Sequence, residues 1–245
     1  EYIKHIDKIG GRSEKLAEEL REILQLKQKP FVCYSGVPDE FVRQSVSNEE
    51  KVTGEITRFL YVGELIRRKN VDVIIRALAE FKNRSWLLDV VGPGYELDSL
   101  KKLAINLDVA DRVRFYGRIP RDEVFKVMHD AQVFTMVSSR EAFGLVYLEA
   151  MANSCLTVGS TGEGIDGVIK DGENGFLCEA GSVDALRRVY QRIFDMPPEE
   201  RKRIARSGYE TACRMTDSNV AQIYLDDIME GGMLVTDQGR KRATG

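Results

Sequence analysis

The chain has 245 residues, 43% of them hydrophobic, and a formal net charge of −3. That is enough apolar material for a sizeable core, and the near-balanced charge excludes the global basic field of a nucleic-acid binder. No apolar run reaches the length of a membrane span, no signal-type segment opens the chain, and Cys33, Cys155, Cys178 and Cys213 form no CxxC pair, which fits a reducing compartment with neither zinc nor disulfides.

In chain order, residues 12–27 set Leu16, Leu20, Ile23, Leu24 and Leu26 near one helical face behind Ser13, a residue type that caps helices. A short strand is expected at 31–34, followed by the turn SGVPDEF, and the polar stretch 43–54 reads as a linker. One helix and one strand do not make a domain, so residues 1–50 are expected to be the end of a preceding domain plus a linker. From residue 55, strands (57–63, 86–92, 113–117, 133–138) alternate with helices (70–82, 95–107, 121–130). A helix after Phe143, strands at 156–160 and 175–179, and helices near 183–195, 198–214 and 217–230 follow. Short apolar strands such as WLLDVVG between amphipathic helices imply an α/β domain over 51–215, a Rossmann-like parallel sheet with helices on both faces. Residues 216–245 are expected to be a last helix and, from 231, a disordered tail whose GRKR cluster is solvated.

Ligands of such sheets bind beyond the carboxyl ends of the strands, and five suggestive runs fall there: 63–69, 92–94, 117–118, 138–145 and 159–167. Gly63 is followed by Arg67, Arg68 and Lys69 ahead of a helix. Cations are disfavoured at a helix N-terminus unless an anion sits there, so the cluster reads as a diphosphate site or as an exposed basic loop. The run from Gly92 to Gly94 lacks the third glycine of a dinucleotide fingerprint, because position 97 is Leu97. No Asp-x-Asp pair occurs. No metal is therefore expected, and cationic side chains would have to hold a diphosphate.

Residues 138–152, SSREAFGLVYLEAMA, run from a polar loop into an apolar helix carrying Glu149. A carboxylate in that setting needs a partner, either a core cation or a ligand diol. Gly144 permits close backbone approach, and the N–H groups of Phe143, Gly144 and Leu145 offer an anion site. Glu141, just before the helix, is either a cap or a ligand-facing group. The run 159–175 holds six glycines, as a mobile surface loop or a loop over a ligand would.

The stretch Glu141-AFGLVYL-Glu149, with Ser138, Phe143, Gly144 and the following Ala150-Met151-Ala152, resembles the glutamate, seven residues, glutamate signature of the family 4 retaining glycosyltransferases. The turn Gly36-Val37-Pro38 with Phe41, and the run from Asp166 through GVIKDGENGFL, are similar to further family patterns, so the resemblance covers roughly residues 31–230. It implies the C-terminal, donor-binding half of a two-Rossmann (GT-B) fold, whose last helix crosses back to the N-terminal domain.

The resemblance further implies a hexosyltransferase that moves sugar, with retention, from a nucleotide diphosphate sugar, UDP favoured, to a glycan or lipid-linked acceptor in polysaccharide biosynthesis. No metal or other cofactor is implied. The location implied is cytoplasmic, with peripheral contact to the inner membrane face through the N-terminal domain. Lys69 would stabilise the leaving diphosphate and Glu141 would face the sugar, as catalytic residues. Donor binding would fall to Gly63, Arg67, Arg68, Gly92, the backbone of Tyr116, Gly117 and Arg118, then Ser138, Phe143, Gly144, Leu145, and Glu149 on the ribose. The family places an arginine after the glycine matched by Gly63, where this chain has Glu64, so Arg67 or Arg68 would supply that charge. A catalytically silent nucleotide-sugar binding module and a sugar-nucleotide epimerase are the alternatives. By itself the chain is expected to bind the donor but not transfer its sugar.

Overall fold

A computed structural model describes residues 8–45 and 47–236. Ser13 caps α1 (Glu14–Ile23), its hydroxyl accepting the Leu16 N–H at 3.2 Å. Ahead of it, β1 (Gly10–Gly11) pairs in parallel with β2 (Phe31–Val32), so the front of the chain is a small β-α-β unit. Two glycines carry no strand signal of their own, which is why β1 was not legible. Of the apolar face of α1, Leu16, Leu20 and Leu24 are half-buried and Ile23 is 75% exposed.

The stretch 43–54, read as a polar linker, is ordered and docked. It contains the end of α2 (Asp39–Gln44) and a 3-10 turn, Glu49–Thr53, packed against α8 (Pro198–Arg214). Val52 is buried, Lys51 Nζ donates to the carbonyls of Met128 and His129, and Arg206 pairs with Glu49 at 3.0 Å. The polar composition that suggested a tether instead supplies ion pairs to a docked segment.

Six strands form one all-parallel sheet: β3 (Thr57–Val62), β4 (Trp86–Val91), β5 (Val113–Gly117), β6 (Val133–Thr135), β7 (Leu156–Ser160) and β8 (Phe176–Cys178), in the order β5-β4-β3-β6-β7-β8. Phe59, Leu60 and Tyr61 on β3 are fully buried, as a central strand covered on both faces requires. Right-handed crossovers put successive helices on one face while the strand order runs one way and on the other after it reverses. Accordingly α3 (Val71–Ala79) packs with α4 (Leu97–Asn106) and with α7 (Val183–Asp195), while α6 (Leu145–Ala152) packs with α8. The third crossover helix of this sheet, α5 (Arg121–Asp130), leads from β5 back to β6.

The last helix, α9 (Asp217–Thr236), returns to the front unit. Thr216 bridges Val37, the Asp217 N–H donates to the Val37 carbonyl at 2.8 Å, and the rings of Tyr224 and Phe31 lie 5.6 Å apart. Residues 231–236, expected as disordered tail, continue this helix, because propagation adds one hydrogen bond for each residue fixed once a helix is nucleated. Residues 237–245, with the GRKR cluster, lie outside the described residues. Among the described residues no helix is long and apolar enough to cross a membrane.

Candidate functional site

Strand order reverses between β3 and β6, and at such a switch point the two flanking loops splay apart to leave a crevice. The loop after β3 carries the basic cluster and the loop after β6 carries Glu141, so topology alone brings these distant runs together. Lys69 Nζ sits 2.5 Å from Glu141 Oε2, with both side chains nearly closed to water. Arg68 is 3.9 Å from the same oxygen and reaches the Arg140 carbonyl at 3.4 Å.

The three cations do not open α3. Residues Arg67–Lys69 form a 3-10 turn, and Asn70, in the left-handed region at φ 53°, separates it from the helix. Asn70 was not singled out in the sequence, yet it joins the two loops: its amide donates to the Val137 carbonyl at 2.7 Å and to Ser139 Oγ at 3.1 Å. The Ser139 N–H in turn donates to the Arg68 carbonyl at 2.7 Å. Arg67 turns away from this cluster into a surface pocket with Asp72, Arg76 and Glu96 between α3 and α4. Of the two arginines offered in place of the family's, only Arg68 lies beside Lys69. Glu64 itself is exposed, and its carbonyl accepts the Tyr61 hydroxyl at 2.9 Å.

The glycines of the rim serve close approach. A Cβ on Gly92 (φ 134°) would stand 1.9 Å from the Gly63 carbonyl oxygen, so these two loop starts touch backbone to backbone. Gly144 (φ 83°) caps α6, and a Cβ there would meet the Tyr147 ring at 2.7 Å. α6 begins at Leu145, and among the described residues the N–H groups of Phe143, Gly144, Leu145 and Val146 have no hydrogen-bond partner; the Tyr147 N–H is taken by the Gly144 carbonyl. Phe143 is buried against Tyr34, ring centroids 5.7 Å apart, whereas Leu145 is exposed. Ser138 is fully buried and its Oγ has no partner among the described residues.

Glu149 is partly buried in the second half of α6, and its Oε1 lies 3.0 Å from Arg121, a mostly exposed side chain opening α5. Burial raises its pKa above the usual carboxylate range and Arg121 opposes that shift. Its partner in this structure is thus a rim arginine, not a core cation, and nothing in the sequence marked Arg121. Across the crevice, the Tyr116 hydroxyl donates to the buried Asp89 at 3.2 Å, Gly117 is left-handed with open space around it, and Arg118 is exposed. The Gly-rich run is not a free surface loop: Gly164 donates to the Glu141 carbonyl at 2.9 Å, and Glu163 is buried.

The arrangement offers an ammonium on a partly enclosed carboxylate, open α6 N–H groups, and a second carboxylate at the far end of the crevice. A family model described as "Glycosyl transferases group 1" matches residues 42–211. The lipopolysaccharide core biosynthesis glycosyltransferase LpsE of Rhizobium meliloti is 35% identical over 151 residues, covering 61% of this chain and 43% of that protein. The N-acetyl-alpha-D-glucosaminyl L-malate synthase of Bacillus anthracis is 30% identical over 195 residues, 75% of this chain and 49% of that protein. The chain thus spans about half the length of the curated relatives it matches. A crystal structure of Anabaena HepE with UDP and glucose superposes with a TM-score of 0.76 at 19% identity, covering 93% of this chain and 64% of that one; at that identity the likeness speaks for the fold. With the family model matching well over half of its residues, this chain belongs to the glycosyl transferases group 1 family.

Proposed function

We propose that the chain is the donor-binding half of a retaining GT-B glycosyltransferase of family 4 type, taking a nucleotide diphosphate sugar and serving a glycan or lipid-linked acceptor. The observation that carries this reading is the Lys69–Glu141 pair at 2.5 Å across the switch point. Departure of the leaving group puts charge on diphosphate oxygens, and a preorganised ammonium there is worth about 10²- to 10³-fold in turnover. Lys69 with Arg68 takes the diphosphate, Glu141 faces the sugar on which oxocarbenium character develops, and the free N–H groups of Leu145 and Val146 supplement the cations. Glu149 exchanges Arg121 for the ribose hydroxyls.

UDP is favoured as the nucleotide, in line with the UDP in the HepE structure, and the LpsE relative supports a role in lipopolysaccharide or other polysaccharide synthesis. A cytoplasmic position at the inner membrane face follows from such acceptors. The epimerase alternative finds no support in His129, which lies at the end of α5, on the edge of the sheet opposite the rim. Exposed Glu64, where the family pattern has an arginine, favours the catalytically silent binding module as the second reading.

The test is UDP binding by calorimetry on this chain and sugar release from labelled UDP-sugars by the full-length protein. Binding with release is expected; binding without release by the full-length protein would favour the silent module. A folded sample that binds no nucleotide would overturn the donor-site reading.

A further inference from the structure

Glu163 belongs to none of the groups assigned above, yet it touches the main chain that carries Glu141. Its Oε2 accepts the Glu141 N–H at 2.8 Å, and the same oxygen lies 2.6 Å from Lys15 Nζ on α1 of the front unit. The Arg140 N–H lies near enough to favour its charged form. The contact is reciprocal, because the Gly164 N–H donates to the Glu141 carbonyl at 2.9 Å, and a Cβ on Gly164 would stand 2.2 Å from the Ala142 carbonyl oxygen. Arg140 itself is left-handed at φ 57°, a conformation that a long side chain holds only when its surroundings over-determine it. The Glu163 carboxylate, on the following N–H, and Arg68, on the Arg140 carbonyl, hold it there.

Resting on the donor-site reading above, we propose that Glu163 is a positioning residue that sets the Arg140–Glu141 backbone so that the Glu141 carboxylate meets Lys69, and that Lys15 makes this geometry depend on how the front unit sits. Glu163 touches no reacting atom in this role. Its carboxylate fixes a turn, and the turn fixes the catalytic carboxylate. Burial works against the charge on Glu163, but Lys15 and the two N–H groups outweigh it and keep its pKa below the usual range, so the carboxylate is ionised and accepting whenever the enzyme works.

Three variants of the full-length protein separate this role from a merely structural one: Glu163→Ala, Glu163→Gln and Lys15→Met. Glu163→Ala removes both the loop contact and the ion pair, and turnover of UDP-sugar is expected to fall about 10²-fold, as for an ångström-scale misplacement of a catalytic group. UDP affinity by calorimetry should change less than about threefold, since the diphosphate cations are untouched. Glu163→Gln keeps an acceptor for the two N–H groups and should retain most turnover lost in the alanine variant. Lys15→Met should match Glu163→Gln, and the double variant should be no worse than either single one, because both remove the same ion pair. Turnover unchanged in Glu163→Ala, or lost only in proportion to UDP affinity, would overturn the positioning role. Additive loss in the double variant would overturn the link through Lys15. A wild-type protein that binds no UDP would instead overturn the donor-site reading on which the proposal rests.

Discussion

Glu141 and Glu149 belong to one short run of sequence, and the structure treats them differently. Glu141 is held by Lys69 and Arg68 from the loop after β3, its backbone by Glu163 and Gly164 from the loop after β7, and through Glu163 by Lys15 of α1. Among the described residues Glu149 has one ion-pair partner, Arg121, whose side chain is 71% exposed. An exposed pair contributes under about 1 kcal/mol and can be traded for ligand hydroxyls, whereas a group tied into several elements holds its geometry. On the proposed reading, the difference suits a fixed end, where charge would develop, and an adaptable end, where a nucleotide would dock.

The comparison breaks first at Lys69. Lys69→Ala in the full-length protein should lower turnover by about 10²- to 10³-fold, with donor affinity falling less. Equal loss in both would mean that Lys69 only binds, and an active Lys69→Ala beside an inactive Arg68→Ala would move the phosphate site to Arg68. At the other end, Glu149→Gln should weaken UDP binding by about 1.5 to 3 kcal/mol while leaving the melting temperature nearly unchanged, as for a hydrogen bond to a charged group. Unchanged affinity in calorimetry would make Glu149 a structural partner of Arg121 and nothing more.

Gly164→Ala sharpens the contrast from the backbone side. The added methyl falls 2.2 Å from the Ala142 carbonyl oxygen, so the loop must move, at a cost of about 1 to 3 kcal/mol in denaturant unfolding. A silent Gly164→Ala would show that the loop around Glu141 is not tightly held. The smallest effect is expected at Arg121. Because burial raises the Glu149 pKa and Arg121 opposes it, Arg121→Ala should raise that pKa further. A raised native pKa means the folded protein binds the proton more tightly than the unfolded chain, so this group's contribution to stability is lost as pH rises through the native value. With Glu149 in its proposed ribose-binding role, nucleotide binding has the opposite sign, since it would need the ionised form and should fade as pH drops through the same value. The acid limb of UDP binding should therefore shift to higher pH in Arg121→Ala, and an unshifted limb would remove Glu149 from the titration.

Much of the fold was legible because it rests on local periodicity. The strands around WLLDVVG and the amphipathic helices between them carry their own hydrophobic pattern, and parallel strands then dictate that their following loops share one rim. Boundaries and polar segments were less legible. The stretch 43–54 has loop composition, yet Arg206 and the carbonyls of Met128 and His129 dock it, partners that lie far along the chain. In the site, the residue types at positions 69, 141 and 149 and the glycine at 144 were readable as chemistry. The partners Asn70, Arg121 and Glu163 were not, since each acts through a contact with no fixed sequence spacing.

The sequence by itself therefore determined the parallel α/β architecture, the rim on which the functional loops gather, and the pair of glutamates eight positions apart, because these follow from side-chain periodicity and from residue chemistry. Only the tertiary structure decided which cation meets which carboxylate. Arg67 and Arg68 are adjacent in sequence, but the 3-10 turn sends Arg67 toward α4 and leaves Arg68 beside Lys69. The physical reason is that an ion pair is set by distances of a few ångströms in three dimensions, which strand order and loop closure fix and sequence spacing does not.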